Sequence, residues 1–384
     1  MEFGLTEDQQ AIRETAQRFS QEHLAPDYLA RAKAGRIERD LIREMGKLGL
    51  IGADLPEQFG GLGLGNLSGG LIVEDIAAGD FNVAYIQLLG SLQGSILVDH
   101  ALPDLANEVV PKICQGELVV AIGLTEPGGG SDAANLQLRA TATDSGWVLN
   151  GEKTSISLAD QADEIVLFAR TGSPESRARG VSAFLVSMDS PGVSCTRFDD
   201  VGSESVGRGS IFFDNVEVPR ARLLGTENNA FRAVMVGFDY SRALIGLQVL
   251  AAAEVSLREA WAYASERKAF GRSIVENQGV SEPLAEAETW LEAAKLLCYK
   301  TLWLRDQGKA HTAEAAMCKW WAPRAAFDII HRCLLTHGHL GYSKDMPVQQ
   351  RLRDVLGLQI GDGTAQIQKM VIARERVGRG VLSN

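Results

Sequence analysis

The sequence predicts an α+β chain in three parts: a helical unit over residues 1–118, an antiparallel β unit over 119–226 and a second helical unit over 227–384. Three observations predict it. With 384 residues, 45% of them hydrophobic, the chain is too long for one ordinary core and can fill two or three. Apolar residues recur at helical spacing up to about residue 118, then alternate beyond Val119. After Pro219 the helical period returns over long segments.

The first helix opens at Thr6-Glu-Asp-Gln9, a capping box, and continues with Ile12, Ala16 and Phe19 on one face. The glycine-rich run Phe59 to Gly70 follows no strand and reads as a loop between helices rather than a dinucleotide fingerprint. In the β unit Leu138, Ala140 and Ala142 alternate. Turns are expected at Asp144-Ser-Gly146 and Asn150-Gly151, and strands at Glu164 to Phe168 and Val181 to Met188. Helices follow at roughly 231–268, 282–306 and 312–336, with one more last, just beyond Asp362. No repeat or low-complexity tract interrupts them.

A formal net charge of -11 disfavours nucleic acid or an anionic membrane as partner, because both demand a basic surface. Cys114, Cys195, Cys298, Cys318 and Cys333 are odd in number and lack CxxC spacing, which indicates neither a disulfide framework nor a zinc site. The start MEFGLTEDQQ has no basic region leading an apolar run, and the longest apolar stretch, around Ala243 to Val255, is too short to span a bilayer. A cytoplasmic protein is expected.

Several short strings carry chemistry. Asp362 stands between Gly361 and Gly363, just ahead of an amphipathic helix that Ile367, Met370 and Val371 can dock and that Asp362 or Thr364 can cap. That arrangement aims a carboxylate as a base. Leu124 to Asp132, LTEPGGGSD, is either a plain turn or a loop bringing main-chain N–H groups and hydroxyls to a flavin or phosphate. Asp239 and Arg242 lie about one helical turn apart, as a surface ion pair or a site pair. Arg267 could fork onto a diphosphate or simply end a helix. His337-Gly-His339 has no acids or cysteines nearby, so a metal is not expected.

Taken together, these strings resemble the acyl-CoA dehydrogenase family: the tail Arg351 to Gly380, the Thr-Glu-Pro motif at 125–127, Phe-Asp-x-x-Arg at 238–242, and Arg-x-x-Phe-Gly at 267–271 followed by Gln278. The resemblance spans the whole chain. It implies an N-terminal α-helical domain, a middle antiparallel β-barrel-like domain and a C-terminal four-helix bundle. It also implies FAD, an acyl-CoA thioester substrate, an electron-transferring flavoprotein as acceptor and a homotetramer built as a dimer of dimers. Cofactor contacts are implied for Leu124, Thr125, Ser131, Ser155, Ser157, His337, Gly338, Thr364 and Gln366. Arg267, Phe270 and Gln278 are implied to reach the FAD of a neighbouring subunit. Substrate contacts are implied for Ser131, Asp239, Arg242 and Gly363, and the catalytic base is Asp362. No nicotinamide fingerprint or second redox centre competes.

The chain departs from that pattern where most members carry Glu as the base, a Trp at the position of Ser155, and Gln and Gly at the positions of Leu335 and His339. Asp reaches roughly 1.5 Å less than Glu, and a misplacement of about 1 Å costs on the order of a hundredfold in rate. A straight-chain substrate positioned for Glu should therefore react poorly, whereas a ring offers its proton from another place and Ser155 leaves it room. The KTSIS and IGDGTAQI segments resemble those of cyclohexanecarbonyl-CoA and cyclohex-1-ene-1-carbonyl-CoA dehydrogenases. Formation of the first ring double bond and 1,4-dehydrogenation to a diene both remain open. Competing readings are a short- or branched-chain acyl-CoA dehydrogenase, a nitroalkane-oxidase-like flavoenzyme using the same Asp, and a non-catalytic structural relative, which intact flavin motifs disfavour.

Overall fold

A computed structural model of the chain describes residues 4–378 and, at 232–234 within a helix, the backbone only. The N-terminal part holds α1 (Glu7–Phe19), α2 (Tyr28–Ala34), α3 (Arg39–Lys47), α4 (Gly65–Gly79), α5 (Ala84–His100) and α6 (Pro103–Cys114). The capping box forms at Thr6, and Ile12, Ala16 and Phe19 are the buried face of α1. α4 and α5 are buried nearly all round, as the central layer between α1 and the C-terminal helices.

Part of the expected glycine loop is helix. Gly65 to Gly70 form the first turns of α4, because a Cβ on Gly69 would lie 2.5 Å from the Tyr240 hydroxyl and one on Gly70 would lie 2.3 Å from Leu302. Close packing overrides the low helix propensity of glycine.

The middle part is one sheet of β1 (Val120–Gly123), β2 (Arg139–Ala142), β3 (Gly146–Ile156), β4 (Glu164–Arg170), β5 (Val181–Ser187), β6 (Val193–Arg197), β7 (Gly209–Pro219) and β8 (Leu223–Leu224). It is not wholly antiparallel: β1 runs parallel to β4, as does the short β2–β4 pairing. β4 is buried on both faces. Its Ile165, Leu167 and Ala169 fill the core of the sheet, while Val166 and Phe168 enter the core shared with the helices. Asn150-Gly151 is not a turn. It is a β-bulge inside β3, where Gly151 takes φ +140 and a Cβ would meet Leu138 Cα at 2.8 Å.

The C-terminal part packs α7 (Ala230–Glu266), α8 (Gln278–Asp306) and α9 (Thr312–His337) together, with a small hairpin of β9 (Lys268–Ala269) and β10 (Arg272–Ser273) between α7 and α8. Short α10 (His339–Tyr342), α11 (Pro347–Gly357) and α12 (Ala365–Val377) follow. Thr364 holds the N-cap position of α12 without a side-chain bond. The helix buries Gln368, while Ile367, Met370 and Val371 stay half-exposed. Among the described residues no helix is long and apolar enough to cross a membrane.

The three parts meet at Asp354 on α11, which is fully buried. Its carboxylate accepts from Tyr28 Oη at 2.6 Å, Asn82 Nδ2 at 3.1 Å, the Ser203 N–H at 2.6 Å and Gln350 Nε2 at 2.8 Å. Beside it Gly202 brings the β unit against α11, and a Cβ there would lie 2.5 Å from the Arg353 carbonyl. Backbone cannot step aside as a side chain can. Gly202→Ala should therefore cost about 1–3 kcal/mol and lower the melting temperature; an unchanged melt would show that this approach has slack.

Candidate active site

The loop between α11 and α12 carries Asp362, and the backbone singles it out. Asp362 has φ +54 and Gly363 φ +91, whereas Gly361 needs no positive φ. The strain expected at both glycines sits on Asp362 and Gly363. Asp tolerates the left-handed region better than most residues. Gly363 has no such choice, since a Cβ would also meet Gln368 Nε2 at 2.4 Å.

Side chains from two helices pin this loop from beneath. Lys319 on α9, nearly fully buried, donates from Nζ to the Leu358 carbonyl at 2.7 Å and to the Gly363 carbonyl at 3.4 Å. Gln368 on α12 donates to the Asp362 carbonyl at 2.9 Å. The half-buried carboxylate accepts from Ser241 Oγ on α7 at 3.2 Å. Next to it, Arg242 pairs with Asp239 at 2.7 Å, and Thr312 Oγ1 donates to the other Asp239 oxygen at 2.6 Å. That pair is buried, not a surface pair, and Arg242 Nε has no partner among the described residues. An unpaired buried guanidinium N–H points to a missing acceptor.

The second set lies on the sheet. Glu126 is buried and pairs with Lys153 of β3 at 2.7 Å, and Lys153 also donates to the Leu124 carbonyl at 3.1 Å. Glu126 further accepts from the Gln137 and Leu138 N–H groups at 2.5 and 3.0 Å. Burial pulls the Lys153 ammonium down to about 8, against the attraction of Glu126. The ion pair fastens the 124–132 loop to β3. Within that loop Thr125 is half-buried, Ser131 is exposed, and Gly128 faces open space. A register shift between Lys153 and Ile156 bulges β3, and the exposed Ser155 takes φ +58 there, with Ser157 half-buried beyond it. Ile156 pairs with Gly209, whose neighbour Arg208 donates to Tyr85 Oη at 3.3 Å. Burial raises the Tyr85 phenol, the Arg208 charge lowers it, and Asp362 raises it further. Arg208 also lies against Gly357 at the end of α11, where a Cβ would meet its Nη1 at 3.3 Å, so the bulge and the segment leading to Asp362 share one region.

The remaining expected residues stand elsewhere. Arg267 lies 26 residues along α7 from Ser241, about 39 Å at 1.5 Å per residue. Phe270 and Gln278 share its exposed hairpin region, and Phe270 is completely exposed with φ +53. His337 is at the same end: its ring stacks on Tyr263 at 4.7 Å and its Nδ1 meets the Cys333 carbonyl at 2.8 Å, with Gly338 ending α9 at φ +62. Within one chain these residues do not join Asp362. Thr364 and Gln366 flank the start of α12, half-buried and exposed. A cleft of about 560 Å³ between α5 and the first turns of α7 is lined by Ile96, Phe168, Val236 and Arg305, but not by Asp362.

Sequence reasoning missed Ser241, Lys319, Gln368 and the Glu126–Lys153 pair. One signal was available for Lys319, a lone cation on a helix face of Ala315, Ala316, Cys318 and Ala322. A charge on such a face needs a fixed acceptor.

Comparison with known proteins gives a consistent picture. The family models "Acyl-CoA dehydrogenase, N-terminal domain", "middle domain" and "C-terminal domain" match residues 6–117, 121–216 and 228–376. The chain is 35% identical over 380 residues to benzylmalonyl-CoA dehydrogenase of Aromatoleum aromaticum, covering 98% of this chain and 99% of that protein. It is 33% identical to the caffeyl-CoA reductase-Etf complex subunit CarC of Acetobacterium woodii, covering 96% and 98%. The solved structure of butyryl-CoA dehydrogenase from Megasphaera elsdenii superposes with a TM-score of 0.95 at 32% identity, covering 98% and 100%.

Burial pulls the Lys319 ammonium from an ordinary 10.5 to about 8, against the attraction of Asp362. The folded chain thus holds this proton less tightly than the unfolded one. The contribution favours folding above the unfolded value and is lost as pH falls through about 8. Lys319→Met lacks this titration, so the wild-type chain should gain about 2 kcal/mol relative to that variant between about pH 7.5 and about pH 10. Urea-unfolding curves of both proteins at each pH check it; a constant difference would mean that Lys319 titrates as in water.

Proposed function

Because the chain belongs to the acyl-CoA dehydrogenase family, we propose that it oxidises an alicyclic acyl-CoA, cyclohexanecarbonyl-CoA or cyclohex-1-ene-1-carbonyl-CoA, with Asp362 as the base. FAD-dependent oxidation of an acyl-CoA is the family's activity and the chain's. The finer substrate reading is carried by one observation: the base is the shorter acid, on a loop held by Ser241 and Lys319, while the position of Ser155 on the bulged strand is small and exposed.

The residues present fit a bound flavin. The glycine-rich 124–132 loop is clamped to β3 yet open at Gly128, the bulged strand offers the Ser155 and Ser157 hydroxyls, and Arg242 has an unpaired N–H. Leu124, Thr125, Ser131, Ser155, Ser157, Thr364 and Gln366 hold the cofactor from one chain. Arg267, Phe270, Gln278, His337 and Gly338, about 39 Å along α7 in the case of Arg267, serve the site of a neighbouring copy. That division supports a site shared between copies of this chain, as in a homotetramer built from dimers. When bound, FAD supplies the acceptor for a hydride.

Asp239, Arg242, Ser131 and Gly363 seat the thioester, and the main-chain N–H of Asp362 polarises its carbonyl. The Asp362 carboxylate takes the proton alpha to that carbonyl as the hydride departs, leaving a carbon–carbon double bond and a protonated Asp362. The fields of Lys319 and Arg242 favour the negative charge that develops on the carbonyl oxygen. An electron-transferring flavoprotein would accept the two electrons, a reading supported by the Etf-complex relative.

One observation favours a second reading. Asp suits φ +54 better than Glu, so the shorter acid could answer to the backbone, and the likeness to butyryl-CoA dehydrogenase then favours a short-chain substrate. Anaerobic titration of the flavin band separates the two. Cyclohexanecarbonyl-CoA or cyclohex-1-ene-1-carbonyl-CoA should bleach it at least tenfold faster than butyryl-CoA, at the low end of what a mispositioned base costs. The reverse order would assign the short-chain substrate. Asp362→Asn should keep FAD and lose roughly a hundredfold to ten-thousandfold in flavin reduction.

A further inference from the structure

Ser241 is fully buried on α7, and its hydroxyl has two acceptors in reach for one proton: Asp362 Oδ2 at 3.2 Å and the Phe238 carbonyl at 3.3 Å. Among the described residues it is the hydroxyl that meets the Asp362 carboxylate, and no ion pair reaches that group there. Both nearby cations make their hydrogen bonds elsewhere, Arg242 keeping an unpaired Nε. Lys319 spends its ammonium on the Leu358 and Gly363 carbonyls, and Arg242 is held by Asp239, which Thr312 holds in turn.

This distribution has a chemical logic. A base in direct contact with a cation is a weaker base, since the cation favours its ionised form. A neutral hydroxyl can aim the carboxylate without neutralising it. It can also reverse its role: a hydroxyl donates to a carboxylate, then accepts from a carboxylic acid while its own proton turns to a carbonyl. Ser241 has that second acceptor in place, one turn back on its own helix.

We propose that Ser241 is the positioning residue of Asp362, donating to Oδ2 while the carboxylate is ionised and turning its proton to the Phe238 carbonyl once Asp362 carries the substrate proton. No electrons move in this step. One O–H rotates, one hydrogen bond to Oδ2 is exchanged for one from it, and the proton count at Asp362 rises by one. The inference rests on the reading of Asp362 as the base. The charged and titratable groups facing the carboxylate are Lys319 from α9, Arg242 and Asp239 from α7, and Tyr85 from α5.

The test is stopped-flow flavin reduction of the FAD-loaded full-length protein against pH, for wild type, Ser241→Ala, Ser241→Thr and Asp362→Asn. The probe is whichever of cyclohexanecarbonyl-CoA, cyclohex-1-ene-1-carbonyl-CoA and butyryl-CoA reduces the wild type fastest. Ser241→Ala should lower the limiting reduction rate about tenfold with little change in the half-saturating probe concentration. Its rate should also climb only at higher pH, because the ionised carboxylate has lost a donor. Ser241→Thr, which keeps a hydroxyl, should restore the rate to within about threefold and return the pH profile. A wild-type rate and profile in Ser241→Ala would overturn the proposal, and so would equal impairment of the Ala and Thr variants, which marks a packing role. Full activity in Asp362→Asn would instead remove the base assignment itself, whatever Ser241→Ala does.

Discussion

A buried carboxylate that meets four donors and no solvent, Asp354, is where the chain closes on itself. Tyr28 and Asn82 come from the first helical part, Ser203 from the connection between β6 and β7, and Gln350 from α11 itself. Burial pushes this carboxyl up to about 6, against the bonds from Tyr28 and Ser203. A buried acid is costly in isolation, and removing any one donor leaves a larger penalty than the bond was worth. The consequence for function is geometric. α11 is fixed against two other units within three residues of its end, so the loop that follows leaves from a defined point and delivers Asp362 to Ser241.

Around Asp362 the protein separates two tasks that a single salt bridge would merge. Lys319 and Arg242 supply positive field without touching the base: Lys319 donates to carbonyls and Arg242 Nη1 to Asp239, while Arg242 Nε stays unpaired among the described residues. Contact comes from neutral groups, Ser241 at the carboxylate and Gln368 at the backbone. Field without contact leaves the base free to accept a proton. The burial of Lys319 is the cost of this arrangement, and the two carbonyls it satisfies are what make that burial tolerable.

Much of the architecture was legible in the sequence because it is written in local periodicity. The order helix, sheet, helix, the capping box at Thr6 and the three long C-terminal helices all depend on residues a few positions apart. Misreadings came where distant packing outvotes local preference. Gly65 to Gly70 look like a loop until Tyr240 and Leu302 arrive from more than 170 residues away, and Asn150-Gly151 looks like a turn until Leu138 presses on it. The site was half legible. Asp362 and its glycines announce a held carboxylate, but Ser241 is 121 residues away and Lys319 44 from Gly363. The far placement of Arg267 follows from the length of α7, close to the helix expected over 231–268, whereas the spacing did not reveal that His337 and Gly338 join it at that end.

β4 carries a last consequence. Its odd positions fill the core of the sheet and its even positions fill the core of the helices, so each core is missing residues without the other. A one-residue slip of this strand would exchange both sets at once. The middle part is therefore not a module that can open while its neighbours stay shut: melting it strips Val166 and Phe168 from the helical layer. Local unfolding, where it occurs, belongs to segments outside this shared strand, and the two cores form one cooperative unit.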